Sequence, residues 1–581
     1  MRTPTRDPPR YPTEPHYYRT PVFRPLLTNL FSSPTGRFAG GVLVTVLLAG
    51  TAPVALKAQE GMLPLPDRAR VKAELRRAAL AAGIVPAPTR TPRRYWLDIL
   101  TGQEDSAEDS PAADRRVDSS SRLWLAELER LWRLPQGDFP VRLHGEAVVQ
   151  YVSPALRSIY REQRISQDAP LLALPLAAAG GGWQVCIEGV IREFWHTEDH
   201  DDWNVFRSGE DMDRRALYRA SLGIEVGPFH LEAGRLGRDW STGHSGGLFL
   251  GGETRFFDGV AAETRGRTWG LELFYAVLDP GLTAAERELI PELDRFAFDQ
   301  YEKSLWVHRL TWRPRPNLRV GLSEGALFYG HRPTIADLGP VLIQHDRYRD
   351  FDNLMAELDL LWYPRPGVGL YAELVVDDLR LGTEDRGTAP SALGSLLGLE
   401  FLRGPWQGWL EGVWTTDRLY LCRHPLSRWE SRLRDGNFTT AWIPDLDQPL
   451  GHWLGPDAGA LFGGLTYRFI RSGRTVRHGV MPAPEPTINL VLSLCRHRSL
   501  PDVAGTFTRP VDLVDPETPP MSRVTVRTLG FDLEWPLPGS VSFRGGLTRV
   551  DMRCTPIPEG SGPAITRSGT EYRLELRFGI L

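Results

Sequence analysis

Between Leu354 and Trp362 the chain alternates. Leu354, Ala356, Leu358, Leu360 and Trp362 share one face, while Asn353, Glu357 and Asp359 share the other. After the turn Trp362–Pro366 the alternation resumes, with Val368, Leu370, Ala372, Leu374 and Val376 set against Tyr371, Glu373 and Asp377. A period of two over about ten residues predicts an extended strand with one apolar and one polar face. The same Trp-x-Pro-Arg-Pro turn occurs at Trp312–Pro316, so Lys303 to Leu379 reads as two hairpins in tandem. Strands of this length, paired by tight turns and separated by long polar loops, have the pattern of a transmembrane barrel.

The pattern extends over most of the chain. Further strands are predicted at Val141–Tyr151, Leu171–Ala179, Trp183–Glu193, Ala216–Val226, Phe229–Leu236, Thr254–Thr264 and Thr268–Val277. Downstream they fall at Leu393–Leu402, Trp406–Thr416, Gly459–Ile470, Thr487–Arg496, Val524–Trp535, Ser540–Val550 and Tyr572–Leu581. With the four strands of the tandem hairpins this makes about eighteen, an even number that returns the chain to the side where it began. Long loops are expected at 194–215, 237–253, 278–302, 330–351, 417–457, 497–522 and 551–569. The fold class predicted is all-β, a transmembrane antiparallel β-barrel over 141–581. A soluble propeller would need a blade repeat of roughly forty to fifty residues, and the Trp-Pro turn occurs only twice.

Upstream the texture changes. Residues 1–58 read as a signal peptide with a long n-region: six arginines precede the apolar run Phe38–Val54, and Leu56-Lys57-Ala58 offers a cleavage site. The alternative is an uncleaved anchor. Residues 59–140 read as a periplasmic helical segment and linker. One helix is predicted at Asp67–Ile84, and another runs from Ser120 or Ser121 to Leu134, where Pro135 stops it.

Composition neither adds nor removes a barrel. Mean hydropathy is −0.28, as expected when only alternate residues face lipid. The 18 tryptophans suit aromatic girdles. A net charge of −4 that includes the basic leader argues against nucleic acid as a partner. Cys186, Cys422, Cys495 and Cys554 form no metal spacing. The first and third fall in strands, and the other two in outer loops where they could pair.

Candidate chemistry is sparse. There is no Gly-x-Ser-x-Gly elbow, His-Glu-x-x-His, P-loop or Rossmann fingerprint, so no catalytic residue, cofactor or metal is expected. His196 and His200 among acids could ligate a metal, but a solvated acidic loop is the more ordinary reading. His244 beside Ser241 and Ser245 is the nearest approach to a hydrolase pair. Inward charges of both signs, including Glu357, Asp359, Glu373, Arg544 and Arg573, are expected to balance one another.

Four stretches carry a family resemblance. They are Gly234-Arg235-Leu236-Gly237-Arg238-Asp239-Trp240 with its Gly-rich continuation, Asp352-Asn353-Leu354, Tyr371 to Asp378, and Leu454-Gly455-Pro456-Asp457-Ala458. In order and strand placement the chain resembles the Wzi family of capsule-assembly outer-membrane proteins, over roughly residues 120–581. The resemblance implies export through the Sec pathway to the bacterial outer membrane. It also implies a closed or plugged, non-enzymatic, lectin-like barrel whose outer loops hold capsular or related surface polysaccharide. A monomer surrounded by outer-membrane lipid is expected. Sugar-binding candidates are Trp203, Trp240, His244, His331, Arg332, Tyr348 and Trp453, any of which could instead be a girdle or loop-packing residue. Arg235, Arg238, Asp239, Asp352, Asn353, Glu373, Asp377, Asp378 and Asp457 are expected to form a polar network at the lumen and loop bases. The alternative function is a porin for sugars or anionic solutes, because eighteen strands can enclose a channel.

Overall fold

The computed structural model describes residues 76–85 (except 78 and 82), 141–152 (except 144), 171–191 (except 181), 217–278 (except 252–255, 265 and 267), 303–329, 333, 352–378, 392–421, 427–432, 447–469, 486–499, 522–537, 541–556 and 564–580. The predicted leader, the linker, the second helix, the His196–His200 loop and Cys422 lie outside them.

The strands in chain order are β1 (Val141–Leu143), β2 (Gly145–Val152), β3 (Leu172–Gly180), β4 (Trp183–Ile191), β5 (Leu217–Val226), β6 (Phe229–Leu236) and β7 (Phe257–Thr264). Next come β8 (Trp269–Leu278), β9 (Lys303–Arg315), β10 (Leu318–Tyr329), β11 (Asn353–Arg365), β12 (Val368–Asp378), β13 (Ala392–Arg403) and β14 (Trp406–Thr415). A small separate hairpin follows, β15 (Glu430–Arg432) with β16 (Asp447–Pro449). The remainder are β17 (Ala458–Arg468), β18 (Thr487–Ser499), β19 (Ser522–Pro536), β20 (Val541–Pro556) and β21 (Ile565–Ile580).

Nineteen of these form one antiparallel sheet. It closes on itself where β2 pairs with β21, from Gly145↔Ile580 to Val152↔Arg573. Both β1 and β2 also pair with β3 and are the two halves of one stave, so the barrel has eighteen staves. Closure leaves no sheet edge, as a bilayer requires of a spanning sheet.

The alternation decides which residues face lipid. On β11, Leu358 and Trp362 are 49% and 40% exposed, whereas Glu357 and Asp359 on the opposite face are 2% and 0% exposed. The apolar face is therefore outside and the polar face inside. Outward aromatics gather at the short-turn end. Trp269 stacks on Trp312 at 5.3 Å, and Trp406, Tyr467, Phe469 and Trp535 follow one another at 4.7, 5.0 and 6.4 Å. This is an interfacial girdle. Charged pairs interrupt the outward face, among them a cross-strand pair of His308 Nε2 and Glu324 Oε2 at 2.8 Å.

The described part of the predicted first helix, residues 76–85, lies against the short turns. Val85 N–H donates to Pro316 O at 2.8 Å and Gly367 N–H to Leu80 O at 2.7 Å. The Trp-Pro turns are thus docking points as well as hairpin closures. Gly367 needs its glycine: φ is +77° and a Cβ would lie 2.5 Å from Leu402 O.

Three expectations are corrected. The last strands reach further than the alternation suggested, so Cys554 lies in β20 rather than in a loop. The stretch 551–569 is accordingly mostly strand, since β21 already begins at Ile565. The loop 417–457 carries the β15–β16 hairpin.

Candidate functional site

Eight carboxylates of the β6–β14 wall face the lumen: Glu232 on β6, Glu263 on β7, Glu272 on β8, Glu357 and Asp359 on β11, Glu373 on β12, Glu400 on β13 and Glu411 on β14. All are less than 9% exposed. Buried carboxylates need hydrogen-bond donors or cations. Here a loop supplies them. After β6 the chain turns inward at Gly237–Gly251, and the Glu373 carboxylate accepts from Thr242 N at 2.5 Å, Thr242 Oγ1 at 2.8 Å and Leu248 N at 2.7 Å. Glu411 accepts from His244 N at 2.8 Å, Ser245 N at 3.1 Å and Ser245 Oγ. Charge-assisted bonds to backbone N–H groups fix a loop as securely as a strand would.

Glycines make this path possible. Gly246 has φ +133°, and a Cβ on Gly251 would sit 2.6 Å from Gly451 O. The loop closes on itself through Trp240 N–H to Leu250 O at 2.9 Å. A second loop caps it. Tyr420 Oη donates to Leu248 O at 2.7 Å, Trp429 Nε1 to Phe249 O at 2.9 Å and Trp453 Nε1 to Ser245 O at 2.9 Å.

The helix from the turn end meets the inward loop at Arg76. Its Nε lies 2.7 Å from Glu400 Oε2, and its Nη1 donates to Thr242 O at 2.6 Å. Its guanidinium also sits 4.7 Å from the Tyr371 ring centre. Glu400 Oε2 holds His244 Nε2 at 2.9 Å as well, and the His244 ring stacks on Trp409 at 4.8 Å. Burial alone would lower the Arg76 pKa, but Glu400 beside it raises it above the ordinary value. Burial and the nearby Arg76 charge push His244 below its usual value. Burial alone takes His452 down to about 3. The lumen is therefore filled from both ends by segments that touch.

Arg309 anchors the other flank. Its Nη2 donates to Asp359 Oδ2 at 2.6 Å, Nη1 lies 3.6 Å from Glu357, and the guanidinium stands 5.3 Å from the Trp240 ring.

The sequence-derived residues divide into three groups. Trp240 (4% exposed) stacks on Phe249 inside the plug. His244 is enclosed beside Glu400, and Trp453 is half-buried against Phe462 at 5.8 Å. Trp203, His331, Arg332 and Tyr348 lie outside the described residues. Of the network, Arg238 pairs with Glu232 and Glu272 at 3.2 and 3.4 Å, and Asp377 accepts from Tyr420 N at 2.9 Å. Asp239 caps its own loop by accepting from Ser241 N at 3.0 Å. Asn353 is buried, Asp352 immediately precedes β11, and Asp457 takes φ +50° where its N–H meets Thr416 O at 2.8 Å. The side chain of Asp378 is not described. Arg235 differs from expectation. It shares the parity of outward Phe229 and pairs with Asp258 across the strands at 2.8 and 2.9 Å, so it stands on the outer wall and not in the lumen.

Sequence reasoning missed Glu400, Glu411, Arg309, Arg76, Tyr420 and His452. The first two have inward parity in their strands, opposite Leu399 and Leu410, and that signal was available. Among the described residues no group of three His, Cys, Asp or Glu is placed to hold a metal.

Comparison with known proteins places this arrangement. The curated proteins give no match. Among solved structures the barrel is similar to Wzi of Escherichia coli, described as an outer-membrane protein involved in group 1 capsule assembly and a carbohydrate-binding β-barrel. The identity is 15% and the TM-score 0.50, with 89% of this chain and 99% of that one covered. Pseudomonas aeruginosa OccK3 is 10% identical with a TM-score of 0.38, covering 75% and 95%. Acinetobacter baumannii OccAB3 is 10% identical with a TM-score of 0.37, covering 76% and 99%. The model of the family "Capsule assembly protein Wzi" matches residues 137–476, more than half of the chain and the whole of the loop-gripping wall, and the chain belongs to that family of outer-membrane barrels.

Proposed function

We propose that the protein holds capsular or related polysaccharide at the cell surface through its outer loops, conducting no solute and catalysing no reaction. One observation carries this reading. The Gly237–Gly251 loop is bound to Glu373 and Glu411 and meets Arg76 of the helix below, so the lumen serves as a foundation for loops. Family membership and the carbohydrate binding named for Escherichia coli Wzi support the ligand class. Trp240 and His244 act by shaping the loop from within, while Trp453, at its upper surface, is the candidate for stacking on sugar. Trp203, His331, Arg332 and Tyr348 remain candidates on the surrounding loops. Residues 1–58 act as the leader and 59–140 as the periplasmic segment, and the working unit is a monomer.

The hydrogen-bond polarity around Ser245 supports a non-catalytic role. Leu454 N–H donates to His452 Nδ1 at 3.2 Å, which leaves the proton on Nε2, 3.0 Å from Ser245 Oγ. That imidazole donates to the hydroxyl and cannot serve as its base, and the hydroxyl proton goes to Glu411. Two measurements test the proposal. In a planar bilayer the inserted protein should be silent; a large steady conductance would overturn the closed-barrel reading in favour of the porin. Binding to immobilised capsular polysaccharide should weaken about tenfold in Trp453→Ala, the loss of roughly one stacking contact.

A further inference from the structure

The outer wall carries a feature that the polysaccharide reading does not use. On β18 the outward residues Leu490, Leu492 and Leu494 are exposed and apolar, and the next outward position is Arg496. On β19 the outward run Phe531, Leu529 ends at Arg527. On β20 Leu547 is followed by Arg549. All three arginines are exposed. The register pairs Leu494 with Arg527 and Leu529 with Arg549. The apolar run therefore ends one pleat earlier on each successive strand, and the three arginines form a diagonal with neighbours about 7–8 Å apart. Strands of such barrels tilt by roughly 35–45°, so this diagonal traces the level edge of the apolar band. It lies at the end opposite the short turns, the outer side.

The row is backed by more positive charge and little negative. Arg553 is exposed and Arg523 half-buried on the same face further out. Among the described residues of this face the one carboxylate is Asp551, 3.0 Å from Arg549. The feature is local. At the outer ends of β12, β13 and β14 the corresponding outward residues are Val376, Leu393 and Trp414.

We propose that this arginine row binds the phosphate groups of a lipid headgroup in the outer leaflet. Guanidinium forks match phosphate oxygens in pairs, and cations just beyond the hydrocarbon attract anionic headgroups. The side chains point away from the lumen and stand directly above lipid-facing leucines. A ligand reaches them sideways from the membrane, whereas the plug lies inside the barrel. The inference is independent of which glycan the loops hold.

The test uses the full chain, solubilised in neutral detergent and supplied with a bisphosphorylated glucosamine lipid or its dephosphorylated form. Bound lipid is counted by native mass spectrometry. Wild type should retain the phosphorylated lipid about tenfold better than the dephosphorylated one. The triple variant R496Q/R527Q/R549Q should lose that preference, and the triple lysine variant should keep part of it. Heat-modifiable gel mobility reports that each barrel is folded; if the glutamine variant does not fold, the wild-type lipid comparison and the lysine variant still decide. Equal retention of both lipids by wild type would overturn the proposal, as would an undiminished preference in the glutamine variant. Displacement of the lipid by a soluble anionic polysaccharide, with loss of that binding in the triple variant, would overturn it in favour of a glycan site.

Discussion

The two walls of the barrel hold the plug by different means. Along β11–β14 the inner face presents Glu357, Asp359, Glu373, Glu400 and Glu411; the inward loop answers the last three with backbone N–H groups and a histidine, and Arg309 of β9 answers the first two. Along β18–β20 the inner face at the same outer end is apolar: Cys495, Val524, Val526, Val550 and Met552 are buried in the core that includes Leu454 and Phe462. Charge-assisted bonds are directional, so the first wall fixes where the loop goes. Apolar contact is not directional, so the second wall fills space behind it. The difference implies that position is specified on one side and packing supplied on the other.

The sharpest way to break this contrast is Glu373→Ala. It leaves Thr242 N–H and Leu248 N–H buried without their acceptor, and a loss of about 3–5 kcal/mol is expected, read as a fall in the heat-modification temperature. Glu373→Gln keeps one acceptor oxygen and should lose roughly half as much. A barrel unchanged by either variant would mean that the loop is held by packing alone. The contact between the two plugging segments comes next. Arg76→Ala and Glu400→Ala should each destabilise by about 2–3 kcal/mol, and the double variant should lose much less than their sum. The charge left behind is the larger part of each single loss. A bilayer recording of Arg76→Ala should also show conductance bursts if the helix seals the turn end.

On the apolar wall Val526→Ala should be milder, about 1–2 kcal/mol from lost contact and a small cavity, and it should leave conductance silent. If it lowered the heat-modification temperature as far as Glu373→Ala is expected to, the division between the walls would collapse.

How much of this could be read in the chain depends on where the physics is periodic. Phe229–Leu236 was legible to the residue because a Gly-Pro turn and a glycine bound it on either side. The tandem hairpins were legible for the same reason. The final strands were read short at Val550 and Tyr572 because, above the bilayer, outward positions become Arg549, Asp551 and Arg553, and alternation fades while the hydrogen-bond ladder continues. Three-residue strands such as Glu430–Arg432 have no period to detect. Arg235 was assigned to the lumen by its motif, although its parity with Phe229 pointed outward. The inward course of Gly237–Gly251 was not legible as a pattern, since a polar glycine-rich loop reads the same on either side of a wall. Only Glu373, Glu400 and Glu411, inward carboxylates whose strands place no inward cation beside them, required that something enter to satisfy them.

The smallest expected effect concerns acid. His244 and His452 both lie in the plug with pKa values below the ordinary 6.5, the second at about 3. Their folded states resist protonation, so the unfolded loop binds more protons, and stability is lost as pH falls below about 6.5. Between pH 7.5 and 6 the loss should stay below about 1 kcal/mol per histidine, and it should grow as pH falls further toward 3. Heat-modification temperature measured across this range in wild type and in His452→Gln separates the contributions: the variant should show a shallower fall. Because His452 touches Ser245 on the loop gripped by Glu411, the acid response tests the carboxylate wall. An equal slope in both proteins would mean that protonation elsewhere loosens the barrel first.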